Sequence, residues 1–171
     1  MALPKKLKHL NLFNDGTSFV GETGSVTLPK LSRKLEAWRG GGMDGSVKAD
    51  LGLGDDGIQM EWTLGGLALL ALRQFGAVKA DAVMLRFAGS FQRDDTAEVS
   101  AVEVVVRGRH EEIDMGEAKP GEDTEHKITT TCSYYKLTVD GEVIIEIDLL
   151  GFIFIVDGED LLAAHRTAIG L

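Results

Sequence analysis

MLRFAGSFQRDDTAEVSAVEVVVRGR, Met84 to Arg109, is the stretch whose reading decides the fold. Arg86, Ala88, Ser90 and Gln92 fall on one side of an alternation; Leu85, Phe87 and Phe91 fall on the other. A period of two is that of a strand with one wet and one dry face. Arg93-Asp94-Asp95-Thr96 is turn chemistry, because Asp side chains bond nearby backbone N–H groups. A Val-rich strand follows, so the stretch reads as a long β-hairpin. Glu98 and Ser100 share parity with Val102 and Val104, so the polar face is expected to switch near Ala101, at a bulge. The ribbon carries no nucleophile, metal cluster or phosphate loop, which points to a structural or assembly protein.

Outward from this ribbon, the pattern stays mostly β. His9–Phe13 and Ser18–Leu28 read as a first pair around the turn Asn14-Asp15-Gly16. Leu28, Leu31, Leu35 and Trp38 recur at helical spacing and predict a short helix from Pro29 to Arg39, although Ser32, Lys34 and Glu36 also alternate with Arg33, Leu35 and Ala37. Residues 39–57, RGGGMDGSVKADLGLGDDG, read as a glycine-rich loop, longer than compact domains usually keep without a function or a partner. Ile58–Leu64 reads as a strand and Leu67–Phe75 as a central helix capped by Gly76. Glu111–Glu125 reads as a solvated acidic loop. Lys127–Val139 and Glu142–Ile147 form a hairpin across Asp140-Gly141. Phe152–Val156 extends the apolar run, and Asp157 is expected to cap a C-terminal helix. On that helix Leu161, Leu162, His165 and Ile169 would share the inner side, and Gly170 would end it.

Length and composition fit one domain over residues 1–171, long enough to bury a core without disulfides. The chain is 44% hydrophobic and 26% charged, ordinary for a globular protein. Its 21 glycines and three prolines suit turns between strands. The single cysteine, Cys132, lies in a strand-like run and reads as a small buried residue. No apolar stretch of signal length follows Lys5, Lys6 and Lys8. The longest apolar run, Leu149–Val156, falls far short of the roughly 20 residues that span a bilayer. Folding in the cytoplasm is the expectation.

Charge is uneven. Residues 1–39 carry seven Lys and Arg against three Asp and Glu, and the remainder 11 against 24, giving +4 and −13. So acidic a chain is a poor holder of nucleic acid, whose phosphates need Lys and Arg. The basic arm is expected to meet an acidic surface on a neighbouring subunit.

The chemical constellations point away from catalysis. His110, Glu111, Glu112 and Asp114 are strand neighbours that point to opposite faces and do not converge on a metal. Gly40-Gly41-Gly42 and Gly45 lack the Gly-Lys-Ser/Thr ending of a phosphate loop. No spacing pairs His9, His110, His126 or His165 for proton transfer, and no nucleophile elbow is present.

Six segments are together similar to one known family: MALPKKLKHLNLFNDG, GSVTLPKLSRKLEAWRGGGMDGSVKADLGL, MEWTLGG, MLRFAGSFQRDDT, VEVVVRGRHEEIDMGEAKPGEDTEHKI and DLLAAHRTAIGL. LPKLSRKLEAWRGGGMDG and RFAGSFQRDDT are the most specific. The chain thereby resembles, over essentially its whole length, the major tail tube protein of contractile-tailed bacteriophages and R-type pyocins. LLGFIFIV, Leu149–Val156, departs from the family pattern in being more apolar, which bears on local subunit contacts.

The resemblance implies a mainly β fold: a β-barrel or β-sandwich with one central helix and a C-terminal helix. It implies hexameric rings stacked into a hollow tube, strands of neighbours joining into a continuous inner barrel, and a surrounding sheath whose contraction drives the tube through the bacterial envelope. Implied partners are further copies, the tail sheath protein, the tape-measure protein, and the baseplate and tail terminator proteins. DNA would be met only in passage, with no cofactor and no stable membrane anchor. The location implied is the virion tail or a pyocin particle. An acidic wall would let DNA slide without sticking. The tube of a related secretion or injection system remains an alternative, as does a free-standing binding β-sandwich. Against the last, Trp38 and Trp62 lie in periodic segments and are expected in the core.

Within that frame, Met43, Val47 and Leu51 are the expected apolar anchors of residues 39–57 on a neighbouring subunit. Arg86, Ser90, Gln92, Glu103, Arg107, Thr129 and Thr131 are the expected lumen face. Phe87, Phe91, Val102, Val104 and Val106, on the opposite face, are expected to pack on the helix Leu67–Phe75.

Overall fold

The alternation of Met84–Arg109 becomes two long strands in the computed structural model, which describes residues 1–171. They are β7 (Val83–Gln92) and β8 (Val99–Asp114) in a chain order of β1 (Lys6–Asn14), β2 (Thr17–Ser18), β3 (Thr23–Thr27), β4 (Arg33–Trp38), β5 (Val47–Leu53), β6 (Ile58–Leu64), α1 (Leu69–Arg73), β7, β8, β9 (His126–Val139), β10 (Glu142–Asp148), β11 (Ile153–Val156), β12 (Glu159–Asp160) and α2 (Ala163–Ala168). The sheet runs β12-β11-β10-β9-β8-β7-β1-β2, every pairing antiparallel; β6 joins it through β9 and carries β3 on its far side. No helix is long and apolar enough to cross a membrane.

Turn chemistry sets the hairpins. Asp15-Gly16, Asp140-Gly141 and Asp157-Gly158 each hold both residues at positive φ, between 47° and 85°. That is the two-residue turn whose twist matches the flanking strands. The third corrects the expected helix cap: Asp157 turns β11 back into β12, and α2 starts only after Leu162. The helix's other expected landmark holds, since Gly170 adopts φ +84° just past its end.

Strand β9 organises the rest. Gly108–Asp114 and Val102–Arg107 of β8 pair with its two halves in turn, with a register slip between Arg107 and Gly108. On β9's other edge, residues 126–132 pair with β6 and residues 134–139 with β10. Ser133 stands at the change of partner, and its carbonyl accepts the Leu149 N–H at 2.9 Å. Gly108 faces this point so closely that a Cβ there would overlap the Thr131 carbonyl. No slip occurs at Ala101, so the expected switch of faces there is absent. Ser100 stays on the dry side, buried, and takes a 2.6 Å bond from Lys5 Nζ.

The dry faces meet in a core of Leu12, the β6 set Ile58, Met60, Trp62 and Leu64, the β7 set Val83, Leu85 and Phe87, Val104 and Val106 of β8, and Ile128, Cys132, Tyr135 and Ile147. Burial pushes the Cys132 thiol up to about 12, so it packs as a small apolar group. Helix α1 covers less of this core than expected: Ala71 is buried and Leu70 partly so, while β6 supplies four large side chains. It is a single turn followed by a 3-10 turn, Gln74–Gly76, and Gly76 is not left-handed.

Other expectations are also revised. Only Thr17-Ser18 returns along β1, because β3 pairs with β6. The expected helix Pro29–Arg39 is strand β4: no core lies beneath Leu31, Leu35 and Trp38 to favour a helical stripe, and the ladder to β5 satisfies the backbone. Seven residues of the expected loop 39–57, Val47–Leu53, are therefore strand β5. The acidic loop begins later than expected, because β8 continues to Asp114.

A polar network threads the core. Trp62 Nε1 donates to Thr130 Oγ1 at 3.1 Å, and that hydroxyl lies 2.9 Å from His110 Nδ1. His110 Nε2 lies 3.0 Å from Gln74 Oε1, which also accepts from Asn14 Nδ2 at 2.7 Å. Gln74 Nε2 donates to Asn14 Oδ1 and Asp15 Oδ2, both at 2.7 Å. A neutral imidazole protonated on Nε2 satisfies every partner. Burial pushes His110 down to about 4, opposed by the Asp15 carboxylate.

Two predictions come from this architecture. Gly108→Ala should lower stability by about 3 kcal/mol, read from the urea midpoint, because backbone atoms must move. The unfolded chain protonates position 110 below about pH 6.5, and the native core resists until about pH 4. Stability should therefore fall as pH falls through that window, by up to about 3 kcal/mol from this residue. His110→Gln should remove that share of the slope in paired urea titrations.

Candidate assembly surfaces

The ribbon β4–β5 is a sheet of its own. Trp38 pairs with Val47, Glu36 with Ala49 and Leu35 with Asp50. Every residue of β4 is exposed, and of β5 only Leu53 is partly covered. Arg33 and Asp50 form an ion pair across it, and Lys34 bonds Asp55 at 2.7 Å near its base. A two-stranded ribbon with both faces in water is marginal alone.

Of the apolar anchors expected here, Val47 and Leu51 stand on β5 with 55% and 54% of their surface exposed. Met43 is instead folded into its own loop: its Sδ accepts the Gly40 N–H at 3.2 Å and its carbonyl accepts Arg39 Nε at 3.1 Å. Trp38, expected in the core, is 65% exposed opposite Val47, whereas Trp62 is fully buried. Sequence reading missed Trp38 and Leu35 as surface residues. The competing alternation in Ser32–Ala37 was the signal that marks them as strand.

The wet face of the sheet is continuous. Register places Arg86 and Gln92 of β7 with Glu103 and Arg107 of β8, and Ser90 opposite Ala101. Thr131 lies opposite Arg109, and Thr129 opposite Glu112 at a second slip. The structure thus brings all seven polar candidates to one side of β7–β8–β9. Arg86 bonds Glu103 at 2.9 Å and lies 4.1 Å from the Phe13 ring centroid; Arg107 lies over the Tyr134 ring and forms no ion pair. Around Arg86 and Glu103 the face is balanced, with Arg107 and Lys136 against Glu146 and Asp148, but beside Thr129 and Thr131 it carries Glu111 and Glu112 against Arg109, so part of the chain's acidity sits at that end.

That acidity lies on residues 111–125, where seven carboxylates face only Lys119. Two lysines of the basic N-terminal arm are engaged within the chain, while Lys6 forms no ion pair. Lys5 bonds Glu98 at 3.4 Å and Lys8 bonds Asp94 at 2.8 Å, both in the β7–β8 turn of the same chain.

A cleft of about 740 Å³ opens between the base of the ribbon and the C-terminal segment, lined by Leu53, Ile147, Phe154, Leu162 and His165 among others. All four residues expected on the inner side of the last helix, Leu161, Leu162, His165 and Ile169, line it. Arg166 pins this segment through an ion pair with Asp160 and a 2.9 Å bond to the Phe152 carbonyl, and its guanidinium holds the Asp160 carboxyl below the usual carboxylate range. Leu67, Leu69, Phe75 and Val78 leave a further apolar patch around α1 in water.

Comparison with known proteins gives a consistent picture. The family model for phage tail tube protein FII matches residues 4–170. The tail tube protein of Escherichia phage P2 is 55% identical over 172 residues, covering both chains fully. The major tail tube protein of Serratia phage KSP20 is 45% identical over 161 residues, 94% of this chain and 92% of that one. The fold is similar to a chain in the six-fold symmetrised cryo-EM structure of the anti-feeding prophage baseplate, with a TM-score of 0.53 and 9% identity over 81% of this chain and 97% of that one.

The two tryptophans should separate in solution. Acrylamide quenching of the dilute protein should find one accessible and one shielded population, and Trp38→Phe should remove the accessible one. Equal accessibility of both would contradict the placement of β4.

Proposed function

The chain belongs to the phage tail tube protein FII family, and we propose that residues 1–171 act as one tail tube domain that assembles into hexameric rings. The rings stack into the rigid inner tube of a contractile tail. Sheath contraction drives the tube through the bacterial envelope, and DNA passes along its bore. The subunits are made in the bacterial cytoplasm and end in the virion tail. The tail sheath, tape-measure, baseplate and tail terminator proteins are its neighbours there. Its relatives are structural tail proteins rather than enzymes.

The observation that carries this reading is the unpartnered ribbon β4–β5, whose side chains are exposed on both faces. A second copy is what would cover Val47, Leu51 and Trp38, with Met43 shaping the loop that joins the strands. The sheet also keeps an open edge: β2 covers only Phe13 and Asn14 of the nine-residue β1. Such edges invite strand addition from another chain, which closure into a shared barrel would end. In that barrel the wet face bearing Arg86, Ser90, Gln92, Glu103, Arg107, Thr129 and Thr131 lines the bore. Arg86 is neutralised by Glu103, and the other cations of this face are matched in number by carboxylates, so little net positive charge is left to hold passing DNA.

Light scattering and negative-stain microscopy over a concentration series test this. Rings or tubes should appear as concentration rises. Deleting Gly41–Gly45 should leave a folded chain, by circular dichroism, that no longer polymerises. A chain that stays monomeric at every concentration, even with sheath and baseplate present, would overturn the reading.

A further inference from the structure

Strand β5 and its partner expose an apolar face with nothing of their own chain to cover it, and the charges around that face indicate what does. Residues 30–49 carry five Lys and Arg against two Asp and Glu. Arg33 and Lys34 are paired within the ribbon, to Asp50 and Asp55. Lys30, Arg39 and Lys48 form no ion pair. The other basic stretch, the N-terminal arm, has two of its lysines engaged in-chain by Glu98 and Asp94.

The unmatched negative charge lies on residues 111–125. Lys119 pairs there with Glu122, and Glu112, Asp114, Glu117, Asp123 and Glu125 form no ion pair. Met115, half exposed, stands in the first half of this strip, just before Glu117. No ion pair joins the strip to the ribbon within one chain. The two surfaces are complementary in sign, both project into solvent, and each has an apolar residue to offer the other.

We propose that the ribbon β4–β5 of one copy docks on the Glu117–Glu125 loop of a second copy, with Arg39 and Lys48 facing Glu117 and Asp123, and Trp38 or Val47 covering the adjoining Met115. This rests on the self-assembly reading above and names the surface that receives the ribbon. The contact is head-to-tail, since donor and receiver are different surfaces of one chain, so every copy can give and receive. Contacts of this kind propagate into rings or stacks rather than ending at a dimer. They also predict assembly that weakens as salt screens the charges.

A charge-reversal cycle tests it. Arg39→Glu with Lys48→Glu reverses the ribbon; Glu117→Lys with Asp123→Lys reverses the strip. Each reversed chain alone should need roughly tenfold or more protein to assemble, because unlike charges in contact become like charges. Mixing the two reversed chains, or combining all four changes in one chain, should restore assembly to within roughly threefold of wild type. Circular dichroism confirms that each variant is folded, and all four sites are exposed. Unaltered assembly of either reversed chain, or failure of the fourfold variant to recover, would overturn the contact while leaving tube formation intact. Absence of assembly in the wild-type protein would overturn both.

Discussion

Strand β9 has two partners on one edge, and the change between them at Ser133 shapes the molecule. Below it β6 extends the sheet and brings Trp62 over the core. Above it β10 takes the same edge and leads to the C-terminal segment. A regular ladder would carry one strand along the whole edge. The slip opposite Gly108 releases that constraint, because a residue with a Cβ would collide with the Thr131 carbonyl. β-Bulges bend and twist a strand in this way, and here the bend lets one sheet fold over its own dry face.

The core that results is apolar with a polar seam. Thr130 lies at the centre, joined to Trp62 and His110, and through Gln74 to the Asn14–Asp15 turn. These bonds fix the 3-10 turn after α1 against strands from both halves of the chain. A fully satisfied buried network gives orientation that apolar packing alone does not. It also explains how so short a helix is held in place while its outer side stays apolar and in water.

Everything beyond this core is incomplete in a single copy. The ribbon β4–β5 has no third strand and no core, and the edge of β1 is mostly uncovered. The large exposed side chains gather at the ribbon, around α1 and along the C-terminal segment. Their number suits a subunit with several neighbours better than a protein that works alone.

Much of this was legible in the chain itself. Alternation in Val83–Gln92 named the dry and wet sides correctly, because each side-chain direction is set by the strand's own pleat. Asp140-Gly141 announced its hairpin for the equally local reason that Gly tolerates positive φ. The same dipeptide at Asp157-Gly158 was read as a helix cap, since a turn and a cap use the same Asp and only the following strand distinguishes them. For Leu28–Trp38 the helical and alternating patterns coexist. Whether a core lies beneath Leu35 and Trp38 is a fact about distant residues, and none lies there. Local patterning determined most of the long strands, the faces of β7 and the family resemblance, because those depend on neighbours in sequence. The branching of β9, the burial of Ser100 and His110, and the exposure of Trp38 were decided by tertiary structure. They depend on which distant strand arrives at each edge, and no local pattern carries that.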